Sequence, residues 1–226
     1  MHIQEIKEIL STISTCVISD ILDGIGVRGV LSHQLVPLND QSHFIGQAIT
    51  VQWEYVRKGQ NIKEPGMSTW DEVKNFLIDS NVDAAGKIYV SGFGPLLPEM
   101  ALAGGLSLTY FQNIGIEGMV LGGGMRDAEV VKRARIPVFA PGFTPADTQG
   151  CTKIADSKGY CIIDNIKIND GDIVKGDDSG IVVIPQNRLD EVLAIIPSVR
   201  KKEEQVMAAL ESGEMLPDII EKFKWI

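Results

Sequence analysis

The stretch "EGMVLGGGMRDAEVV", residues 117–131, decides how this chain is read. An apolar run, Met119-Val120-Leu121, passes through Gly122-Gly123-Gly124 and then meets a cation and an anion side by side, Arg126-Asp127. A short apolar run closed by glycine reads as a buried strand, and the amphipathic residues after Asp127 read as a helix over 125–135. Strand, tight connection and helix form the repeating unit of an α/β fold with a parallel sheet. Glycines lacking a Cβ also let the backbone approach a ligand closely. The Arg-Asp pair itself has two readings: a solvated helix start with a capping aspartate, or a pair that binds a ligand.

The same alternation extends outward. Ile3, Ile6, Ile9, Leu10 and Ile13 recur at helical spacing, so a first helix is expected over 3–13. "STCVISDILDGIG" reads as a second helix, with Ser14 or Thr15 as its N-cap. "FIGQAITVQWEYV" (44–56) is β-branched and aromatic, hence a strand. Residues 67–80 form a predicted helix opened by Ser68 or Thr69, with Asp71 and Glu72 in its first turn. "KIYVSGF" (87–93) reads as a strand, 99–115 as largely helical, and "IPVFAPG" as another strand. Beyond residue 150, β-type runs separated by Asn-Asp-Gly and Asp-Asp-Ser-Gly turns predict hairpins. A final helix is expected over 187–212, kinked or divided at Pro197. The expected architecture is a layered α/β/α parallel-type sheet with a small β-rich C-terminal layer, the 226 residues forming one domain.

Composition bounds the function. A hydrophobic fraction of 44% and a charged fraction of 23% are those of a soluble globular chain. The net charge of −9 repels phosphate backbones, so no nucleic-acid partner is expected. "MHIQEIKEILSTIS" lacks the apolar core of a signal peptide, and no stretch has the length of a membrane span. Cys16, Cys151 and Cys161 lack metal-type spacing and read as reduced thiols, small core residues in a cytoplasmic protein. His33 and His43 read as loop residues, and Trp53, Trp70 and Trp225 form no cofactor box.

Five motifs in order resemble one family. "VISDILDGIGVRGVL", "IGQAITVQ", "GIEGMVLGGGMRD", "IPVFAPGFTP" and "INDGDIVKGDDSGIVVIP" are similar to segments of the RraA-like family, which includes the regulator of ribonuclease activity A and the 4-hydroxy-4-methyl-2-oxoglutarate aldolases. The resemblance covers nearly the whole chain and implies the swivelling-domain type of α/β fold. It also implies that Arg126 binds a substrate carboxylate and carbonyl oxygen, and that Asp127 anchors a divalent metal, Mg²⁺ or Mn²⁺. The chemistry agrees with those roles. Arg presents a fork of donors matched to a carboxylate, and Asp presents hard oxygens. The implied reaction is aldol cleavage, or oxaloacetate-type decarboxylation, of a small anionic 2-oxo acid to give pyruvate.

The chain departs from that family at one position. Gly105 stands where the aldolases carry a second carboxylate that holds metal-bound water. Glu99 is a candidate substitute, and Ser91 stands near another acidic position of the family. An aspartate restored at 105 is expected to tighten metal binding, or to abolish the reaction if the glycine makes room for a bulkier substrate. Gly104, Gly105 and Leu106 are expected to offer backbone N–H groups to a substrate carboxylate at a helix start. The family also implies a homotrimer or homohexamer, with an acidic group from a neighbouring subunit, here Glu203 or Glu204. The polar segment 54–73 is expected to form a lid or a pocket wall, with Tyr55, Arg57 and Lys58 meeting an anion. Two other functions remain open: a non-catalytic regulator that binds a ribonuclease, and a sugar-acid lyase or isomerase using the same pocket.

Overall fold

The structure, a computed structural model, describes residues 2–56, 69–79 and 82–224. In chain order the elements begin with helices α1 (Ile3–Ser11) and α2 (Thr15–Gly24), then strands β1 (Val36–Pro37) and β2 (Phe44–Tyr55). Helix α3 (Trp70–Val73), strands β3 (Ile88–Gly92) and β4 (Leu97–Ala103), and helix α4 (Gly105–Asn113) follow. Then come β5 (Gly118–Leu121), β6 (Gly123–Met125), α5 (Ala128–Lys132) and β7 (Val138–Ala140). The C-terminal part holds β8 (Thr152–Ser157), β9 (Tyr160–Ile163), β10 (Ile166–Asn169), β11 (Ile173–Asp177) and β12 (Gly180–Ile184), closed by α6 (Leu189–Glu211) and α7 (Leu216–Phe223).

The main sheet runs β1-β7-β5-β3-β2-β11-β12, with β8 also paired to β2. Its centre is parallel, since β3 pairs in parallel with β2 and β5, and β5 with β7. Strands β1, β8, β11 and β12 join antiparallel, so the sheet is mixed. Strand period sorts the core. Along β2, Ile49 and Val51 face a cluster containing Leu108 and Phe111 of α4, while Ala48 faces a different one. On β3, Tyr89 joins the first cluster, whereas Ile88 and Val90 join the second with Cys161, Ile163 and Ile168 of the β9–β10 hairpin. The α/β class and the β-rich C-terminal layer therefore hold. In place of further helices, that β layer covers the second face of the parallel strands. Gly92 permits it, because a Cβ there would lie 2.3 Å from the Ile162 carbonyl oxygen.

Helices α1, α2 and α6 pack on the β11–β12 end of the sheet through Leu10, Ile18, Leu22, Val192 and Ile196. The Ser14 side chain accepts the Val17 N–H, so Ser14 is the N-cap of α2. Polar groups fix this corner too. Asp177 accepts the Thr15 N–H and hydroxyl, both at 2.7 Å, and the Ser179 N–H at 2.9 Å. The Lys175 ammonium donates to the carbonyls of Leu10 and Ile13 at the end of α1. Burial alone would raise the Asp177 carboxyl, but its hydrogen bonds and Lys175 hold it below the usual carboxylate range. A carboxyl depressed in the folded state contributes stability that is present above the unfolded pKa of about 4 and lost as pH falls through the folded value. In acid titrations followed by circular dichroism, wild-type stability should fall below pH ~4 more steeply than that of Asp177→Asn.

Several elements differ from expectation. The 67–80 helix is only α3 followed by a 3₁₀ turn, Lys74–Phe76. Thr69 begins it, its N–H donating to Glu72 Oε2 at 2.9 Å, and Ser68 lies outside the described residues. Residues 97–103 form strand β4 instead of helix because they pair in parallel with β6. The 125–135 helix shrinks to the five residues of α5. Helix α6 runs through Pro197 unbroken, its N-terminal half buried and its second half built from Lys, Glu, Gln, Ala and Met, which favour helix. Strand β8 and helix α7 were not expected. Of the cysteines, Cys161 is a core residue, whereas Cys16 and Cys151 are exposed. Among the described residues, no helix is long and apolar enough to cross a membrane.

Candidate active site

The parallel pair β4 and β6 explains why Arg126 and Asp127 sit where they do. Ala103 lies opposite Met125, and the Arg126 N–H donates to the Ala103 carbonyl at 3.0 Å. The next residues of each strand, Gly104-Gly105 and Arg126-Asp127, are thereby brought side by side. Gly123 and Gly124 serve that pairing. A Cβ on Gly123 would lie 2.6 Å from Leu102, and one on Gly124 would lie 2.9 Å from the Pro98 carbonyl oxygen. Glycines 122–124 are buried and do not line the cleft, so the close approach they permit is to β4 and not to a ligand.

Asp127 adopts the left-handed conformation (φ 60°, ψ 54°), which aspartate tolerates better than most residues. Its side chain makes no cap on its own helix α5. Instead Oδ2 accepts the Gly105 N–H at 2.7 Å, so the carboxylate caps α4, where the helix dipole favours a negative charge. The reading of Asp127 as an ordinary cap of the helix that follows it is thus corrected. Gly104 and Gly105 keep this contact open. A Cβ on Gly104 would lie 2.9 Å from Asp127 Oδ2, and one on Gly105 would lie 3.1 Å from both Asp127 Cβ and Val130 Cβ.

A side chain at 105 would be crowded here, because its Cβ would press on Asp127 and Val130 at 3.1 Å. Gly105 is buried and does not line the cleft, so it makes no room for a substrate. Gly105→Asp is expected to overpack this contact and set two carboxylates against each other. The cost should be roughly 1–3 kcal/mol, a fall of about 2–4 °C in Tm for each kcal/mol, with no gain in Mg²⁺ affinity. Thermal unfolding and calorimetric titration of the variant check both parts.

A cleft of about 420 Å³ opens over this junction. Its polar lining includes Arg126, Asp127, Asp147, Thr148 and Gln149, and its apolar lining Trp70, Val73, Phe76, Leu77, Leu102 and Tyr110. Arg126 Nη1 donates to Asp147 Oδ2 at 3.1 Å, which orients the guanidinium. Its remaining donors, Nη2 and Nε, have no partner among the described residues. Asp147 is itself fixed, since Oδ1 accepts the Thr148 N–H at 2.7 Å. The Gly104 N–H is taken by Ser107 Oγ and the Gly105 N–H by Asp127. Of the three expected amide donors, only that of Leu106 has no partner among the described residues, and Leu106 is 91% exposed.

The remaining candidates lie elsewhere. Glu99 is on strand β4 and outside the cleft, and its carbonyl accepts the Thr144 hydroxyl. Ser91 is buried in the core, where it accepts the Trp53 indole N–H at 2.8 Å. Tyr55 stacks edge-on against Phe93, while Arg57 and Lys58 lie outside the described residues. Of the described part of segment 54–73, Trp70 and Val73 line the cleft, joined by Phe76 and Leu77 just after it. Glu203 and Glu204 sit on α6, away from this cleft, and Glu204 pairs with Arg200 of its own helix at 3.7 Å. Asp147, which the sequence reading passed over, is the main addition. Its local signal was a turn, "PADTQG", and nothing in that pattern points to Arg126.

The family model described as RraA-like, Aldolase/RraA, matches residues 15–183. The chain belongs to the RraA-like family. This RraA-like chain is 31% identical over 209 residues to Protein DlpA of Legionella pneumophila; the match covers 91% of the chain but 32% of DlpA, about a third of that protein's length. It is 30% identical over 183 residues to a putative 4-hydroxy-4-methyl-2-oxoglutarate aldolase of Halalkalibacterium halodurans, covering 80% of the chain and 77% of the relative. Its fold matches that of Streptomyces coelicolor RraAS2, described as an unusual member of the RNase ES inhibitor RraA protein family. The TM-score is 0.70 at 21% identity, over 88% of this chain and 94% of that one. The RraA-like family thus includes proteins named as aldolases and proteins named as ribonuclease inhibitors.

The aldolase branch of the family implies a divalent metal, and the carboxylates of this cleft offer few oxygens to one. Among the described residues no three His, Cys, Asp or Glu side chains converge on a point. Asp127 Oδ1 is the one oxygen of the Asp127–Asp147 pair without a partner among the described residues. A single carboxylate oxygen fits Mg²⁺, which keeps several waters and takes further oxygens from its substrate, better than it fits a cation needing a full protein cage.

Proposed function

We propose that this chain, acting as one domain over 1–226, is a carbon–carbon lyase that cleaves a small 2-oxo carboxylic acid to release pyruvate. The observation that supports it most is the half-used guanidinium of Arg126 facing a cleft beside Asp127 and the free N–H of Leu106. The two unpartnered donors of Arg126 bind the substrate carboxylate as a fork, and Asp147 keeps that fork from rotating. The Leu106 N–H, at the positive end of α4, donates to a substrate oxygen that gains negative charge. With Asp127 assigned to the metal, Asp147 is the cleft carboxylate left to take a proton from a substrate hydroxyl. Mg²⁺ or Mn²⁺, held through Asp127, would supply polarisation of the C2 oxygen.

Assembly completes the proposal. Met207, Leu210, Met215 and Leu216 are exposed apolar residues on and between α6 and α7, and they suit a subunit contact. A homotrimer or homohexamer would bring Glu203 or Glu204 to a neighbour's cleft. Light scattering should give a multiple of 24.6 kDa, and a stable monomer would remove both glutamates from the site. The activity is tested by incubating the protein with Mg²⁺ or Mn²⁺ and a panel of 2-oxo acids while following pyruvate. The apolar half of the cleft speaks against a sugar acid, which would leave its hydroxyls unpaired there.

A further inference from the structure

The lining of the cleft is of two chemical kinds, and the apolar kind is built into the core. Val73 is 3% and Leu102 1% exposed, both within the cluster beneath the sheet, and Phe76 and Leu77 pack against it. The Tyr110 hydroxyl donates to the Ile78 carbonyl at 2.6 Å, so what Tyr110 has left to offer a ligand is its ring. Trp70, at the start of α3, stands 52% exposed and lines the same wall. Among the described residues that line the cleft, Arg126 is the only cation, and one of its donors is spent on Asp147.

One cation binds one carboxylate. A second carboxylate, directed at Phe76, Leu77 and Leu102, would lose its hydration with no charge or donor among those residues' side chains to replace it. An alkyl or aryl group there would instead cover Trp70 and gain the free energy of burying apolar area. Building on the lyase reading above, we propose that the substrate is a monocarboxylate, a 4-hydroxy-2-oxo acid whose C4 carries an uncharged alkyl or aryl group.

The reaction needs no oxidant or reductant. The C4 hydroxyl gives its proton to a cleft carboxylate, the C3–C4 bond breaks, and its electron pair passes to C3. C4 leaves as the carbonyl of an apolar aldehyde or ketone, and C3 takes up a proton to yield pyruvate. Enzymes that supply this substrate would therefore join an apolar carbonyl compound to a three-carbon oxo acid, or oxidise the matching 2-hydroxy acid.

Two paired measurements test the assignment. Calorimetry with Mg²⁺ present compares two acids that cannot be cleaved, 2-oxo-4-phenylbutanoate and 2-oxoglutarate. Pyruvate release compares 4-hydroxy-2-oxo-4-phenylbutanoate with 4-hydroxy-2-oxoglutarate. The aryl member should be favoured at least about tenfold in both Kd and kcat/KM, as expected for a difference of 1–3 kcal/mol in an apolar pocket. Trp70→Arg, a change at an exposed residue, should shrink that ratio about tenfold or more with little change in Tm. Aryl-selective binding without turnover would support the substrate class while overturning the lyase reading. Turnover that favours the dicarboxylate would do the reverse. Equal binding of the two acids, binding of neither, or a ratio unmoved by Trp70→Arg would overturn the assignment.

Discussion

Arg126→Ala is expected to lower kcat/KM for pyruvate release by about two to three orders of magnitude while leaving the fold almost untouched. The activity loss follows from removing a charge-assisted contact to a substrate carboxylate in a desolvated cleft, worth roughly 3–4 kcal/mol. The small stability effect follows from exposure. Arg126 and its partner Asp147 are 39% and 50% exposed in their side chains, and pairs of that kind contribute about 0–1 kcal/mol. Arg126→Lys should recover little, because an ammonium cannot bridge Asp147 and a carboxylate with one planar fork. Steady-state kinetics and thermal unfolding of both variants check this, and unchanged kcat/KM in Arg126→Ala would reduce the residue to a solvated helix start.

Asp127 should separate stability from activity in a different way. Asp127→Ala removes the acceptor of the Gly105 N–H and places alanine at φ 60°, costs of about 1 kcal/mol each, so Tm should drop by about 4–8 °C. Asp127→Asn tolerates the left-handed backbone and still accepts that N–H through its amide oxygen, so its Tm should stay within about 2–4 °C of wild type. Both variants lose the carboxylate proposed to hold the metal, and both should lose about two orders of magnitude or more in kcat/KM. An active Asp127→Asn would assign Asp127 to capping α4 alone.

The parts of the fold legible in the sequence are those where local preference and tertiary burial agree. Strands β2 and β3 are rich in Ile, Val, Tyr and Trp and fill both faces of the sheet, so composition and environment ask for the same thing. Strand β4 fails that condition. Met100, Ala101, Leu102 and Ala103 favour helix, yet pairing with the glycines of β6 and burial beneath the cleft make them extended. Propensity yields to packing there.

The site divides in the same manner. Arg126 and Asp127 stood out as a charged pair directly after a buried strand, but that pattern alone also fits a helix start, and their proposed roles came from the family resemblance. Asp147 did not stand out, because its turn chemistry is real: it accepts the Thr148 N–H and only then reaches across to Arg126. A residue with a sufficient local role hides its distant one. Gly105 shows the reverse case, visible as a departure in the sequence, while its tight packing against Asp127 and Val130 appears only in the structure. The apolar wall was equally hidden, since Trp70, Leu102 and Tyr110 converge from three separate elements.

The central claim, that the Arg126–Asp127 cleft is a metal-assisted lyase site, is tested most directly by pyruvate release from a panel of 2-oxo acids. The panel spans oxaloacetate, 4-hydroxy-2-oxoglutarate and 4-hydroxy-2-oxo acids bearing apolar C4 groups. The account predicts release that requires Mg²⁺ or Mn²⁺, stops with a chelator, and falls about 100-fold or more in Arg126→Ala. No release from any acid with either metal would contradict it and would leave the protein-binding regulator as the reading to pursue.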